Sequence, residues 1–350
     1  MPDATDFRRD NFQIMSTMKR VAERAGVSIA TVSRVVNKSG FVAPSLQKVV
    51  MEAMEALRYQ PSAVARGLRT RETRSIGVLV PQLSQPFFSS LAYAIERTLF
   101  GHGYRAFLCS AEEDAAEESA YIDMLLSQRV DGLILVPTGQ SMANVHRVLQ
   151  AKICVVLVDR DLPMLKIDRV LSDNFMGAYG LARHLIDLGH RRIGIISAPQ
   201  HSGSISRRVA GINRAFQEAE IQPEQYLFVE GALEKFELGF SVAQQFLQSS
   251  RPPTAVMALN DVIAVGALHA AWKAGLSLPR DLSVTGFDDI PLARYTMPEL
   301  TTAAQPVFEM GRKAALRLLL RIQKPDLKVR RTLLPTSLVI RGSTAPVRLL

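Results

Sequence analysis

The sequence predicts an N-terminal all-α helix-turn-helix domain followed by an α/β core of two doubly wound parallel-sheet subdomains. Three observations carry this. The chain has 350 residues, more than twice the roughly 150 of an ordinary domain. Apolar residues recur at helical spacing between Thr17 and Leu57. From Ser75 onward, short β-branched runs alternate with amphipathic segments, the pattern of parallel strands covered by helices on both faces.

Residues 1–16 have no periodicity, and Met15 and Met18 offer alternative starts, so this stretch is expected to be a flexible leader. In the domain at 17–60, Val21, Ala22 and Ala25 make one helical stripe and Gly26 interrupts it. Ser28 then stands as an N-cap before Ile29, Val32, Val35 and Val36, giving helix, turn, helix. A third helix opens at Pro44, a favoured first helical residue, and runs through Val49, Val50, Ala53, Met54 and Leu57. Residues 61–74 separate this domain from a core at 75–345. There, strand-like runs at 75–80, 105–110, 131–136, 153–159, 191–197, 254–260 and 282–289 alternate with helical segments, the first Phe87–Gly101 and the last Met310–Leu320. Two Rossmann-like halves place a ligand cleft between them, at the carboxyl ends of the strands. Trp272, the only tryptophan, lies mid-helix and is expected in the core.

Composition narrows the function. Hydrophobic residues make up 47% and charged residues 21%, enough to bury a core. Cys109 and Cys154 cannot build a disulfide framework, which fits a reducing, cytoplasmic setting. No run approaches a membrane span, and the start lacks a signal peptide. The net charge is +9, and its location is the informative part. Residues 18–74 hold eleven basic against four acidic side chains, a net of +7, while residues 1–17 carry −1 and the remaining 276 carry +3. That is the electrostatic footprint of a nucleic-acid-binding module on a nearly neutral body. A solvated basic face with no partner is the bland alternative.

Enzyme signatures are lacking: there is no phosphate-binding G-x-x-x-x-G-K-[ST] loop, no H-E-x-x-H pair and no C-x-x-C pair. Gly101–Ala106 matches G-x-G-x-x-A but ends a helix and enters a strand, the reverse of what cradles a pyrophosphate. It reads as a helix C-cap. His184 and His190 are six apart, not on one helical face as metal ligands would be, and surface and helix-end roles are expected. Asp288 and Asp289 have no nucleophile or metal-like cluster beside them in sequence. No cofactor or metal is called for.

The stretch KRVAERAGVSIATVSRVVN (19–37) closely resembles the helix-turn-helix of the lac repressor family of bacterial transcription regulators. The physical reading agrees, since a second helix with short side chains at its start can enter the major groove of double-stranded DNA. The resemblance implies that Ile29 and Ala30, following the cap Ser28, discriminate between operators by apolar contact. Thr31, Ser33 and Arg34 would hold phosphates or bases, and Asn37 the backbone. The plain alternative for Thr31, Ser33 and Arg34 is a solvated helix surface. YQPSAVARGLR (59–69) is similar to the family's hinge helix, too short to persist alone. Leu68 matches its minor-groove wedge; otherwise it is a linker leucine. Ala43 departs from the family's usual capping serine, a loss of about 1 kcal/mol.

The resemblance continues through PQLSQPFF (81–88), QRVDGLI (128–134), VDR (158–160), SDN (172–174), LGHRRI (188–193), ND (260–261), GFDD (286–289) and LTT (300–302). It implies the fold of periplasmic sugar-binding proteins, with one half at roughly 75–171 plus 303–332 and the other at 172–302 plus 333–345. Asp159, Arg208, Asn260 and Asp288 match polar positions that bind effector hydroxyls, and Phe87 and Phe88 flank the cleft opening. An arginine fork, hydroxyl-accepting carboxylates and an aromatic face suit a sugar. Arg208 opens a helix and has a surface role as its alternative. Val307 replaces an aromatic residue of some members. The expectation is a homodimeric repressor on a near-palindromic operator, controlled by a sugar or sugar-like effector; a phosphorylated sugar or a nucleobase stays open. No leucine-heptad helix closes the chain, which favours a dimer over a tetramer. A solute-binding protein of the same core fold is the alternative, with a secretion signal and no basic module as its marks.

Overall fold

The computed structural model describes residues 18–37, 39–59, 72–138, 141–197, 203–222, 226–231 and 235–347, in two units that meet at Thr73 and Arg74. In the first unit, α1 (Met18–Ala25), α2 (Ile29–Asn37) and α3 (Pro44–Ala56) close around Val21, Ala22, Val32, Val50 and Ala53. α1 stops because Gly26 turns left-handed at φ 63°, where a side chain would be strained. The Val27 N–H then returns to the Ala22 carbonyl at 3.0 Å. At α3, Ala43 makes no side-chain cap and Pro44 takes the first turn; separately, Gln47 Nε2 donates to the Val42 carbonyl at 2.9 Å.

The second unit contains two parallel sheets. The first has the order β11-β5-β4-β3-β1-β2, from β1 (Ser75–Val80), β2 (Arg105–Ser110), β3 (Gly132–Leu135), β4 (Cys154–Val158), β5 (Asp168–Ser172) and β11 (Arg331–Leu334). The second has the order β7-β6-β8-β9, from β6 (Ile193–Ser197), β7 (Tyr226–Glu230), β8 (Ala255–Ala258) and β9 (Ser283–Thr285). β10 (Thr302–Ala304) pairs antiparallel with β12 (Ser337–Val339). Strand order reverses at β1/β3 and at β6/β8, and ligands bind outside the strand ends at such switch points.

Around the first sheet lie α4 (Pro86–Gly101), α5 (Ala115–Ser127), α6 (Met142–Gln150) and α11 (Val307–Gln323); around the second lie α7 (Asn174–Asp187), α8 (Gly203–Glu218), α9 (Phe236–Leu247) and α10 (Asp261–Lys273). Each sheet carries an apolar cluster on either face. Among the described residues three segments cross between the halves: β5 into α7, β10 into α11, and β11 into β12.

Several elements escape a reading by apolar pattern. β5, with sequence DRVLS, carries two charges yet is buried throughout. Asp168 lies between Arg317 (2.8 Å) and Arg321 (2.8 Å) of α11, partners that make a buried carboxylate tolerable. Trp272 is a correction: it is 69% exposed and stacks on His269 with centroids 5.7 Å apart. α10 buries its alanine-rich face instead, and packs so closely on α9 that a Cβ on Gly266 would sit 2.0 Å from the Phe236 carbonyl oxygen. His190 stands at the end of α7, the helix-end role expected of it, with its backbone N–H returning to the Leu185 carbonyl at 3.0 Å, and it is buried. Burial lowers its pKa, and its ring nitrogens reach Thr254 Oγ1 at 2.9 Å and the Ala345 carbonyl at 3.0 Å, tying the C-terminal segment to the second sheet. The turn at Gly101–Ala106 is a C-cap, with Gly103 at φ 80° before β2.

Candidate functional site

Two sites emerge, one in each unit. On α2 only Val32 is fully buried, so the rest of the helix start faces outward. Ser28 Oγ accepts the Thr31 N–H at 3.1 Å and lies 2.9 Å from Thr31 Oγ1, the N-cap expected of it. Ile29 is 49% exposed, and Ala30 and Arg34 are exposed beside it. An isoleucine left half in water at the mouth of a helix is available for apolar contact with another surface. Asn37 Nδ2 donates to Ser33 Oγ at 3.2 Å, so these two side chains are tied to each other on the same helix. The cap leaves a helix N-terminus with its partial positive charge pointing outward beside Arg34, a setting that favours anions. Leu68 lies outside the described residues.

The second site gathers at the carboxyl ends of the strands. Phe87 and Phe88 occupy the first turn of α4 after β1, with rings edge to face at 5.3 Å. Asp159 follows β4 with φ 65°. Asn260 follows β8 and Asp288 follows β9; Arg208 lies one turn into α8. All six are buried. The alternative of a surface role for Arg208 is excluded: it is 4% exposed and its guanidinium lies 3.7 Å from the centre of the Phe287 ring. Nε donates to Asn174 Oδ1 at 2.7 Å, Nη2 to Asp288 Oδ1 at 3.0 Å, and Nη1 to the Leu259 carbonyl. Asn260 has a second duty, since its Oδ1 caps α10 by accepting the Ile263 N–H at 2.8 Å. A cavity of about 280 Å³ borders Phe87 and Asp288 and is walled by Ser90, Arg294, Tyr295 and Phe308.

The structure adds residues that motif reading left out. Arg160, next to Asp159, is held by both Glu113 carboxylate oxygens at 2.6 and 2.8 Å and lies 5.6 Å from the Phe88 ring centre. Gln305 Nε2 donates to Asp288 Oδ1 at 2.7 Å. Arg160 stands beside Asp159 in the VDR run at 158–160, which is the sequence signal for it; Gln305 has none, because its role depends on a chain crossing. Behind Asp288, Asp261 is fully buried and accepts the Ile290 N–H at 2.8 Å and the Thr302 hydroxyl at 2.6 Å. Burial first, and then the nearby Asp288, push its carboxyl well above the ordinary range. It braces the loop that carries Asp288.

Residues 17–62 match the model of bacterial regulatory proteins of the lacI family, and residues 182–344 match that of the periplasmic binding protein-like domain. The chain is 40% identical over 311 residues to the HTH-type transcriptional repressor PurR of Edwardsiella ictaluri, covering 88% of this chain and 91% of that one. The chain belongs to the lacI family. A second family member, the ribose operon repressor of Haemophilus influenzae, is 38% identical over 329 residues, 94% of this chain and 98% of the relative. Among solved structures of the family, the lac repressor dimer bound to operator and the anti-inducer ONPF aligns with a TM-score of 0.83 at 30% identity, covering 94% of this chain and 99% of that one. A LacI family regulator from Enterococcus faecium with bound ribose aligns with a TM-score of 0.73 at 32% identity, covering 78% and 100%. This lacI-family chain is thus a DNA-binding transcriptional repressor under effector control, and not an enzyme. Among its described residues no helix is long and apolar enough to cross a membrane.

Proposed function

We propose that this repressor responds to a small polyhydroxylated sugar of the pentose class, D-ribose foremost, bound between the two halves of its core. One observation carries the reading: at the strand ends each half presents an aspartate with an arginine, Asp159 with Arg160 in the first and Asp288 with Arg208 in the second, all buried. Asn260 and Gln305 add amides, and Phe87 and Phe88 add rings. A sugar needs donors and acceptors for adjacent hydroxyls plus an apolar wall for its C–H face. The name of the Haemophilus relative and the ribose in the Enterococcus structure support the same choice. Isothermal titration with D-ribose, other pentoses and free purine bases tests it: D-ribose is expected to bind, and binding of a purine base without any pentose overturns the reading.

The working unit of this reading is a cytoplasmic homodimer on a near-palindromic operator. Residues 17–60 read half-sites through Ser28, Ile29, Ala30, Thr31, Ser33, Arg34 and Asn37, and residues 61–74 form the hinge with Leu68 as wedge. The core, 75–345, dimerises and binds effector, divided between the halves at the boundaries given above. Exposed Tyr93 and Phe100 on α4, Phe107 and Leu108 on edge strand β2, and Tyr295 and Met297 after β9 supply apolar surface for a second copy, as large exposed patches do. The operator-bound lac repressor dimer supports that assembly. Sedimentation of a Phe107→Asp, Tyr295→Asp variant checks it, with a monomer expected and an unchanged dimer against it.

A further inference from the structure

Five buried side chains close a hydrogen-bonded ring through the site. Arg208 Nε donates to Asn174 Oδ1 at 2.7 Å, Asn174 Nδ2 donates to Ser172 Oγ at 3.2 Å, and Ser172 Oγ donates to Gln305 Oε1. Gln305 Nε2 donates to Asp288 Oδ1 at 2.7 Å, and Arg208 Nη2 donates to the same oxygen at 3.0 Å. The proton donors thus run in one sense from Arg208 through three neutral groups to Asp288, with the direct ion pair closing the circuit. Arg208 can only donate and the Asp288 carboxylate can only accept, so the two ends fix the sense of the chain, and Ser172, its smallest member, relays it by accepting from Asn174 and donating to Gln305.

The ring's location is what gives it meaning. Ser172 and Asn174 flank Asp173 in the first crossover, between β5 and α7, and Gln305 sits in the second, just after β10. The third crossover clasps the first: the Asp173 N–H donates to the Leu334 carbonyl at 2.8 Å, and Thr336 Oγ1 donates to the Asp173 carbonyl at 3.1 Å. There is little slack behind it. A Cβ on Gly177 would lie 2.7 Å from Thr336 Oγ1 and 2.9 Å from Cζ of Phe287, the ring on which Arg208 rests. A hydroxyl that engages Asp288 or Arg208 therefore competes with bonds that end on the crossovers.

We propose that Ser172 and Asn174 are positioning residues that couple effector occupancy at Arg208 and Asp288 to the three crossovers between the halves. The inference rests on those two residues being effector contacts. Three variants of the full-length dimer separate its parts. Ser172→Ala opens the ring, Asn174→Asp keeps the acceptor for Arg208 but loses the donor to Ser172, and Ser172→Thr restores the hydroxyl. Operator affinity is measured with and without saturating D-ribose, alongside D-ribose affinity. An allosteric regulator changes operator affinity by roughly 5- to 150-fold on effector binding. In Ser172→Ala and Asn174→Asp that ratio is expected to fall within about 3-fold of unity while D-ribose still binds within about 10-fold of wild type, and Ser172→Thr is expected to recover it. A merely structural role would lower the melting temperature without moving the ratio. An unchanged ratio in Ser172→Ala with D-ribose bound overturns the inference.

Hydrogen exchange of the ligand-free protein decides the matter independently of effector identity. The amides of Asp173, Asp288 and Gln305 bond to Leu334, Ala303 and Asp288 carbonyls. In Ser172→Ala all three are expected to exchange at least about 10-fold faster, with Ile195 in β6 unaffected. Unchanged protection overturns the coupling role. Absence of D-ribose binding to the wild type, with this exchange effect present, sinks only the choice of ribose.

Discussion

Replacing Arg208 with methionine leaves the Asp288 carboxylate buried without its cation. The two side chains are 5% and 8% exposed at 3.0 Å, so solvent does little to screen the loss. Breaking such a buried pair costs about 3–5 kcal/mol, while methionine keeps the apolar contact with Phe287. For domains of comparable size, about 2–4 °C of melting temperature corresponds to each kcal/mol, so the core transition is expected to fall by roughly 6–20 °C. Adding Asp288→Asn removes the orphaned charge yet keeps an oxygen for the Gln305 amide, and is expected to recover at least about half of that loss. Effector affinity will not follow: truncating a buried charged partner costs about 2–5 kcal/mol of binding, or at least about 30-fold, in the single and the double variant alike. Thermal denaturation followed by circular dichroism, paired with titration calorimetry, reads both quantities. A single variant within about 1 kcal/mol of wild type, or a double variant no more stable than the single one, refutes the reasoning.

Asp261 makes stability depend on pH in a known sense. Its folded-state pKa is raised, so the folded protein holds a proton that the unfolded chain releases above about pH 3.9; that contribution is full below this value and is lost as pH rises through the folded-state pKa. Asp261→Asn is expected to flatten the profile in urea denaturation across pH 4–8, and a slope equal to wild type argues against it. Leu68→Ala is expected to reduce operator bending in a permutation gel while leaving effector affinity unchanged; undiminished bending removes the wedge. Arg34→Ala is expected to lower the slope of log affinity against log salt by roughly 2 for a dimer, from about 0.9 per phosphate contact per copy, and an unaltered slope returns Arg34 to a solvated role. Gly211→Ala would place a Cβ 2.2 Å from the Phe175 carbonyl oxygen and is expected to destabilise the α7–α8 pair that carries Arg208; a full-strength melting temperature speaks against that packing.

Much of this was legible in the residue order because the forces involved are short in range. Ser28 caps its own helix three residues on, Gly26 supplies its own positive φ, and the runs at 75–80 and 105–110 became β1 and β2 at those bounds. Asp159, Asn260 and Asp288 each follow an apolar strand, so the strand announces the place. β5 and β11 were not legible for the opposite reason: β5 opens on the buried Asp168, whose partners Arg317 and Arg321 lie some 150 residues away, and β11 alternates between exposed and half-buried. Trp272 misled because helical periodicity does not say which face a neighbouring helix will cover.

By itself the sequence determined the helix-turn-helix, the alternation that makes two parallel sheets, the basic surplus on residues 18–74, and the residue types at the strand ends, since each depends on neighbours within a few turns. Only the tertiary structure decided which of those groups meet. Arg208 reaches Asp288 across 80 positions, and Ser172 reaches Gln305 across 133. Buried polar groups must find partners wherever the fold supplies them, and here the chain's three crossings between the halves bring them together.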